Sequence, residues 1–160
     1  MKQNNEFDNN WIFQEKYYPK ICNIIEWNIA KIISIKPATF EDDTKRATDF
    51  VVLVEAGTVA VRIRRAHIKF RDLTIRSYNN GHKTEIDKIK EKYVRYYLYC
   101  WTDESENISE YLLLDIHKIV SSGLLENKEE THNKDGRTRF ISITIDELQN
   151  NSCVLKHGIK

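Results

Sequence analysis

The sequence is poor in the residues that interrupt or cross-link a chain. Its 160 residues include two prolines, five glycines and three cysteines, so long flexible linkers are not expected. Cys22, Cys100 and Cys153 are far apart in the sequence and form no CxxC motif. An odd, scattered set of cysteines suits neither a disulfide framework nor a zinc finger, and it favours a reducing compartment such as the cytoplasm.

Long hydrophobic runs are missing as well. No apolar stretch approaches the roughly 20 residues that a membrane-spanning helix needs, and the polar start MKQNNEFDNN is unlike a secretory signal. With 41% hydrophobic and 31% charged residues, the composition is typical of a globular protein. We therefore expect one domain over residues 1–160, in the cytoplasm and without a membrane partner.

The short motifs of several enzyme classes are also absent. The sequence contains no GxGxxG, P-loop, GxSxG or HExxH pattern, and its five histidines are far apart. Dinucleotide binding, P-loop nucleotide hydrolysis, serine-hydrolase chemistry and zinc proteolysis therefore have no support in the sequence.

Basic residues, in contrast, are concentrated in one segment. The net charge is only +1, but residues 61–83 contain one acidic residue, Asp72, and seven basic ones. The basic residues are Arg62, Arg64, Arg65, Lys69, Arg71, Arg76 and Lys83. Residues 84–130 reverse the balance, with eleven acidic and six basic residues. A basic stretch in a nearly neutral domain indicates a polyanionic partner, although a solvated strand face explains the same charges.

Hydrophobic periodicity predicts the first half of the chain. Residues 10–34 have apolar positions at helical spacing, with a kink at Pro19. The continuous apolar run at residues 50–54 predicts a strand that is buried on both faces. After a turn at Gly57, Val61 and Ile63 alternate with Arg62 and Arg64, so both arginines are expected on one face of the next strand.

The remaining elements follow from the same rules. Residues 72–77 alternate as a third strand that carries Arg76, and a short helix begins after Thr84, which is a suitable N-cap. An aromatic strand is predicted at residues 95–101 and a further strand at 110–116. A short helix at 117–125 and a last strand at 139–145 complete the predicted order.

The order of helix, three strands, helix and strand over residues 26–101, with Asp49 entering the first buried strand, resembles the core of the PD-(D/E)XK (restriction-endonuclease-like) nucleases. The resemblance implies an α/β fold with a mixed central sheet and an αβββαβ core. Here a C-terminal strand-helix-strand extension would follow that core. We expect the strand at residues 50–55 at the centre, with those at 59–65 and 72–77 beside it.

The same resemblance assigns roles to individual residues. Glu26 matches the acidic residue of the family's helix, and Asp49 matches its metal-binding aspartate. Arg62 and Arg64 stand where the family has the second acid and the lysine, so RxR replaces (D/E)xK. The family's carboxylates hold Mg²⁺ or Mn²⁺, whereas an arginine cannot coordinate a metal. The usual metal site is therefore altered.

Three hypotheses follow from this departure. In the first, the site has migrated: Glu85 and Lys88 become catalytic, and Glu85 joins Asp49 as a ligand of Mg²⁺ or Mn²⁺. The alternative for Glu85 and Lys88 is an ordinary ion pair on the surface of a helix.

In the second hypothesis, the chain binds DNA or RNA without needing a metal. Its phosphate-binding residues would be Arg62, Arg64 and Arg76, together with Lys69 and Arg71. In the third, the protein comes from a phage or another mobile element and binds a host enzyme without catalysis. A homodimer is compatible with each of these hypotheses.

Overall fold

The computed structural model describes residues 13–29, 32–37, 50–54, 57–79, 82–126, 128–133, 136 and 138–159. Within them the helices are α1 (Tyr18–Asn28), α2 (Glu85–Lys90), α3 (Ile116–Ser121) and α4 (Ile145–Asn150). The strands are β1 (Ile32–Pro37), β2 (Phe50–Val54), β3 (Gly57–Arg64), β4 (Asp72–Asn79), β5 (Tyr96–Thr102), β6 (Ile108–Asp115), β7 (Thr131–His132), β8 (Thr138–Thr144) and β9 (Val154–Ile159). Among these described residues, no helix has the length and apolar character that crossing a membrane requires.

Six strands form the main sheet, in the order β1-β2-β3-β5-β6-β9. Strands β1, β2 and β3 are an antiparallel meander, β3 pairs in parallel with β5, and β6 and β9 continue the sheet in antiparallel pairing. The predicted mixed α/β architecture is therefore confirmed. Strand β2 lies inside the sheet, between β1 and β3, as the apolar run at residues 50–54 indicated.

A second sheet of three strands has the order β4-β8-β7. The prediction that residues 72–77 lie beside residues 59–65 in the central sheet is wrong, because β4 pairs with β8 from Asp72–Thr144 to Asn79–Thr138. The physical reason is that both edges of β3 are already paired, one with β2 and the other with β5. A strand can bond to only two neighbours in one sheet.

Three element predictions need correction. The helix predicted over residues 10–34 ends at Asn28, and residues 32–37 form β1, where β-branched isoleucines suit a strand paired with β2. Strand β2 is not buried throughout, because Leu53 is 40% exposed. The strand predicted at 139–145 is β8, but it is not the last, since α4 and β9 follow it.

The two faces of the main sheet have separate cores. One face packs against α1, and Tyr17, Ile21 and Ile25 belong to the same buried cluster as Val61 and Ile63. The opposite face packs against the second sheet, and the aromatic side chains of β5 lie there beside β4 and β8. These residues are Tyr97, Tyr99, Trp101, Leu73, Ile75, Ile141 and Ile143. Because side chains alternate along β3, its arginines face the side of the second sheet.

Candidate functional site

A cavity of about 480 Å³ lies where the main sheet, the second sheet and α2 meet. We call it the arginine cavity, because Arg62 and Arg64 of β3 and Arg76 of β4 all line it. Tyr99 of β5 and Glu85 of α2 contribute further polar atoms. The structure therefore brings the three arginines together as the alternation along their strands predicted, although Arg76 belongs to a different sheet.

Strand β4 divides its side chains between the core and the arginine cavity. Leu73 and Ile75 are fully buried in the core, while Thr74 and Arg76 line the cavity. Phe140 of β8 is the direct partner of Arg76 in the antiparallel register, and it lines the cavity too. The second sheet thus presents one apolar face to the core and one polar and aromatic face to the cavity.

Glu85 is the first residue of α2, and its position is fixed by the local sequence. Thr84 caps the helix, and its side chain and backbone form a capping box with Asp87. This places Glu85 in the arginine cavity with only 5% of the residue exposed. There the Nη1 group of Arg62 donates to Oε1 at 2.9 Å and to Oε2 at 3.0 Å. A buried carboxylate is thereby matched by a partly buried guanidinium.

Two further donors reach the Glu85 carboxylate. The hydroxyl of Tyr97 donates to Oε1 at 2.9 Å, and the backbone N–H of Arg76 donates to Oε2 at 3.1 Å. Burial raises the pKa of the Tyr97 phenol well above its ordinary value, and the negative charge of Glu85 raises it further. Tyr97 therefore acts as a permanent hydrogen-bond donor to Glu85.

Arg64 is held by neutral groups instead of a carboxylate. Its Nε–H donates to the hydroxyl of Tyr99 and its Nη2 group to Oγ1 of Thr74, while its guanidinium carbon lies 5.4 Å from the centre of the Tyr99 ring. A guanidinium has five N–H donors, so these two bonds fix its orientation and leave other donors for a ligand. The positive charge of Arg64 is not neutralised by these partners.

Arg76 is the most accessible of the three cations. Its side chain lines the cavity and is exposed, and its hydrogen bond to Glu85 comes from the backbone. Across the described parts of the chain, no carboxylate pairs with Arg64 or Arg76. The described lining contains three arginines and the two carboxylates of Asp72 and Glu85, which gives a formal charge of three minus two, or +1.

The other two basic residues predicted to bind phosphate lie outside the described cavity lining. Lys69 is exposed, with its Nζ 3.9 Å from the carboxylate of Glu104. Arg71 forms an ion pair with Glu110, with 3.0 Å between Nε and Oε2, and its guanidinium lies 5.7 Å from the centre of the Trp101 ring. Arg71 is thus already paired, whereas Lys69 belongs to a weak surface contact.

The predicted catalytic residues are only partly brought together. Glu85 and Lys88 both belong to α2 and are buried, with 5% and 7% exposure, so they do not form a pair on an exposed helix surface. Glu26 is an exposed residue of α1, which packs against the other face of the main sheet. Asp49 lies outside the described residues.

The donor set around Glu85 does not suit a Mg²⁺ or Mn²⁺ ligand. Each of its oxygens accepts two hydrogen bonds, which occupy the lone pairs that a hard cation would need. The adjacent Arg62 guanidinium would also repel a divalent cation. No group of three His, Cys, Asp or Glu side chains is placed to hold a metal ion within the ranges that the structure describes.

Sequence reasoning missed the apolar lining of the cavity, which includes Ile68, Phe70 and Phe140. A signal existed for Phe140, because it alternates with the core residues Ile141 and Ile143 and so belongs to the opposite face of β8. Phe70 lies in the connector between β3 and β4, which has no periodic pattern. Its backbone carbonyl accepts a hydrogen bond from Nε1 of Trp101 at 3.1 Å, while the residue stays 75% exposed.

Comparison with known proteins adds no family to these observations. No protein-family model matches the chain, and no curated protein sequence matches it. The chemistry of the arginine cavity is therefore the basis on which a function can be argued.

Proposed function

We propose that the protein binds DNA or RNA through phosphate groups, which enter the arginine cavity. One observation carries the proposal: Arg64 and Arg76 line the same cavity, and none of the described carboxylates pairs with either. A guanidinium grips two oxygens of a phosphate at once, in short charge-assisted hydrogen bonds. Two such groups at one cavity suit a polyanion.

The electrostatic balance of the cavity supports this function. Bringing three guanidinium groups to one cavity costs free energy, and Glu85 neutralises only Arg62 among them. A bound phosphate would offset the remaining repulsion. Arg64 is also pre-oriented by Tyr99 and Thr74, so it loses little side-chain entropy when it binds a ligand.

The strand order supports a restriction-endonuclease-like fold as part of the proposal. Strands β1, β2 and β3 form a meander, and β3 then pairs in parallel with β5. Arg62 and Arg64 are on β3, the third strand of the meander, where the resemblance implies the (D/E)xK motif. In this proposal, the altered strand binds phosphate directly with arginines, and Glu85 holds Arg62 in place.

The test is fluorescence anisotropy with labelled DNA and RNA at a series of salt concentrations. We expect binding to both, with the logarithm of the affinity falling linearly with the logarithm of the salt concentration. In the Arg64→Ala/Arg76→Ala double variant the slope should decrease by about 0.7–0.9 for each lost phosphate contact. Lys156→Ala, which removes an exposed charge on β9, is the control and should change neither quantity.

Two outcomes would overturn the proposal. One is the absence of binding to any DNA or RNA at low salt, which would favour the protein-partner hypothesis. The other is a double variant that binds with unchanged affinity and an unchanged salt slope. In that case, the phosphate contacts would lie elsewhere on the protein.

A further inference from the structure

We propose that the arginine cavity binds an unpaired nucleotide of a single strand, with its phosphate at Arg64 and Arg76 and its base against Phe70 and Phe140. The inference rests on the proposed function and specifies the form of nucleic acid that the cavity takes. It follows from the size of the cavity, from its aromatic side and from the position of that side relative to the arginines.

The volume suits a nucleotide and excludes a duplex. At about 480 Å³, the cavity falls in the range of roughly 300–1,000 Å³ that is typical of small-molecule sites. A B-form duplex is far larger, since its major groove alone is about 12 Å wide. Phosphates of a duplex can reach the rim of the cavity, but only unpaired nucleotides can enter it.

The aromatic side of the cavity provides a surface for a base. Phe70 is 75% exposed, so its ring is accessible to a ligand. Its backbone carbonyl accepts a hydrogen bond from Trp101. This bond fixes the backbone of the connector at the residue whose ring lines the cavity. Base–aromatic stacking is tolerant of sequence because every base has a π face.

The pairing of β4 with β8 places an aromatic residue next to a cationic one. Arg76 and Phe140 are directly opposite each other on β4 and β8, and the Cβ atoms of such cross-strand pairs are about 4.5–5.5 Å apart. Both side chains line the cavity. A base that contacts Phe140 therefore keeps its own phosphate within reach of Arg76. Alternating cations and aromatic rings are the usual composition of single-strand sites.

The experiment compares three probes by anisotropy or competition at one salt concentration. They are a labelled single strand of about 12 thymidylate or uridylate units, a blunt hairpin duplex with the same number of phosphates, and an unlabelled nucleoside monophosphate as competitor. The hairpin is closed by a non-nucleotide linker, so that all of its nucleotides are paired. The protein is tested as wild type, as Phe70→Ala and as Trp27→Ala. Trp27 is the matched control, because it is an aromatic residue that is 89% exposed. It belongs to α1, which packs on the face of the main sheet opposite the arginine cavity.

We expect the single strand to bind more tightly than the hairpin. Phe70→Ala should weaken single-strand binding by about 5- to 150-fold, which corresponds to the stacking of one base, and should change hairpin binding less than two-fold. Trp27→Ala should affect neither probe. Since Phe70 is exposed and its hydrogen bond comes from the backbone, Phe70→Ala should unfold at the same urea concentration as the wild type.

Three other results would each overturn a defined part of the argument. If the hairpin binds as tightly as the single strand and Phe70→Ala has no effect on either, this inference fails while the proposed function stands. If neither nucleic acid binds, both fail. If the monophosphate binds and neither nucleic acid does, the cavity is a site for a free nucleotide, and the proposed function is wrong.

Discussion

Nη1 of Arg62 contacts both carboxylate oxygens of Glu85, at 2.9 and 3.0 Å, inside the cavity that Arg64 and Arg76 also line. A carboxylate in this position occupies donors that could otherwise bind phosphate oxygens. Glu85 therefore has two effects: it stabilises the junction of β3, β5 and α2, and it withholds part of the positive charge of Arg62 from a ligand.

Glu85→Gln should separate these two effects, because glutamine keeps the shape and removes the charge. We expect nucleic-acid affinity to rise several-fold and the salt slope to steepen by up to about 0.7–0.9, because the cavity loses a negative charge that repels phosphate. The free energy of unfolding should fall by about 1–3 kcal/mol, because the amide NH₂ would face donors in a buried site. Anisotropy and urea denaturation measure the two changes.

Glu104→Gln is the control for the change in charge. Glu104 is exposed and only weakly paired with Lys69, so its free energy of unfolding should change by less than about 1 kcal/mol. A loss of affinity in Glu85→Gln, with stability unchanged, would contradict our account. Glu85 would then serve mainly to orient Arg62 toward the ligand.

The basic residues should rank by their access to the cavity. Arg76→Ala should cause the largest loss of nucleic-acid affinity, because its exposed side chain lines the cavity. Arg71→Ala should lose less affinity but some stability, since Arg71 contacts Glu110 and Trp101. Lys69→Ala should show the smallest loss of affinity and the smallest loss of stability. Measuring the three single variants at one salt concentration would test the ranking, and equal losses would indicate a diffuse surface instead of a cavity.

Much of the fold could be predicted from local patterns. The alternation in β3, the continuous apolar run of β2 and the N-cap residue Thr84 before α2 each depend on neighbouring residues, and each gave the right element. The pairing of β4 could not be predicted in this way. Whether β4 joins β3 or β8 depends on which edges are free in the folded sheet, and no local pattern contains that information.

The site was predictable to a similar extent. Strand parity correctly placed Arg62 and Arg64 on one face, but nothing in the sequence showed that Glu85 would enter the core and bind Arg62. Charged residues are mostly exposed unless they are paired. Phe70 was missed because the connector between β3 and β4 has no periodic pattern from which the position of its side chain could be predicted.

Tyr97→Phe should lower the free energy of unfolding and change how that free energy depends on alkaline pH. At neutral pH, we expect a loss of about 1–3 kcal/mol in the free energy of unfolding, because Glu85 loses a buried donor. Burial, with the charge of Glu85, raises the pKa of folded Tyr97 well above 10.0. In the unfolded chain the phenol ionises near pH 10, so above this pH the unfolded state binds fewer protons and wild-type stability falls.

The variant lacks this phenol, so its stability should decline less steeply than that of the wild type above about pH 10, by up to about 1.4 kcal/mol per pH unit. Urea denaturation at several alkaline pH values provides the measurement. Tyr78→Phe, which removes the hydroxyl of a 40% exposed tyrosine, is the control, and its profile should follow the wild type. Parallel profiles for wild type and Tyr97→Phe would show that Tyr97 ionises equally in both states.

Nucleic-acid binding should not require a divalent metal. Both oxygens of Glu85 already accept hydrogen bonds, and Arg62 lies against them, so the phosphate contacts that we propose come from arginines alone. At a fixed sodium chloride concentration, treatment with EDTA should therefore leave the affinity within about two-fold of the untreated protein. A loss of ten-fold or more that Mg²⁺ or Mn²⁺ restores would contradict this. Metal-dependent cleavage that is abolished in Glu85→Gln would go further, because it would mean that Glu85 leaves Arg62 and joins a metal site during the reaction.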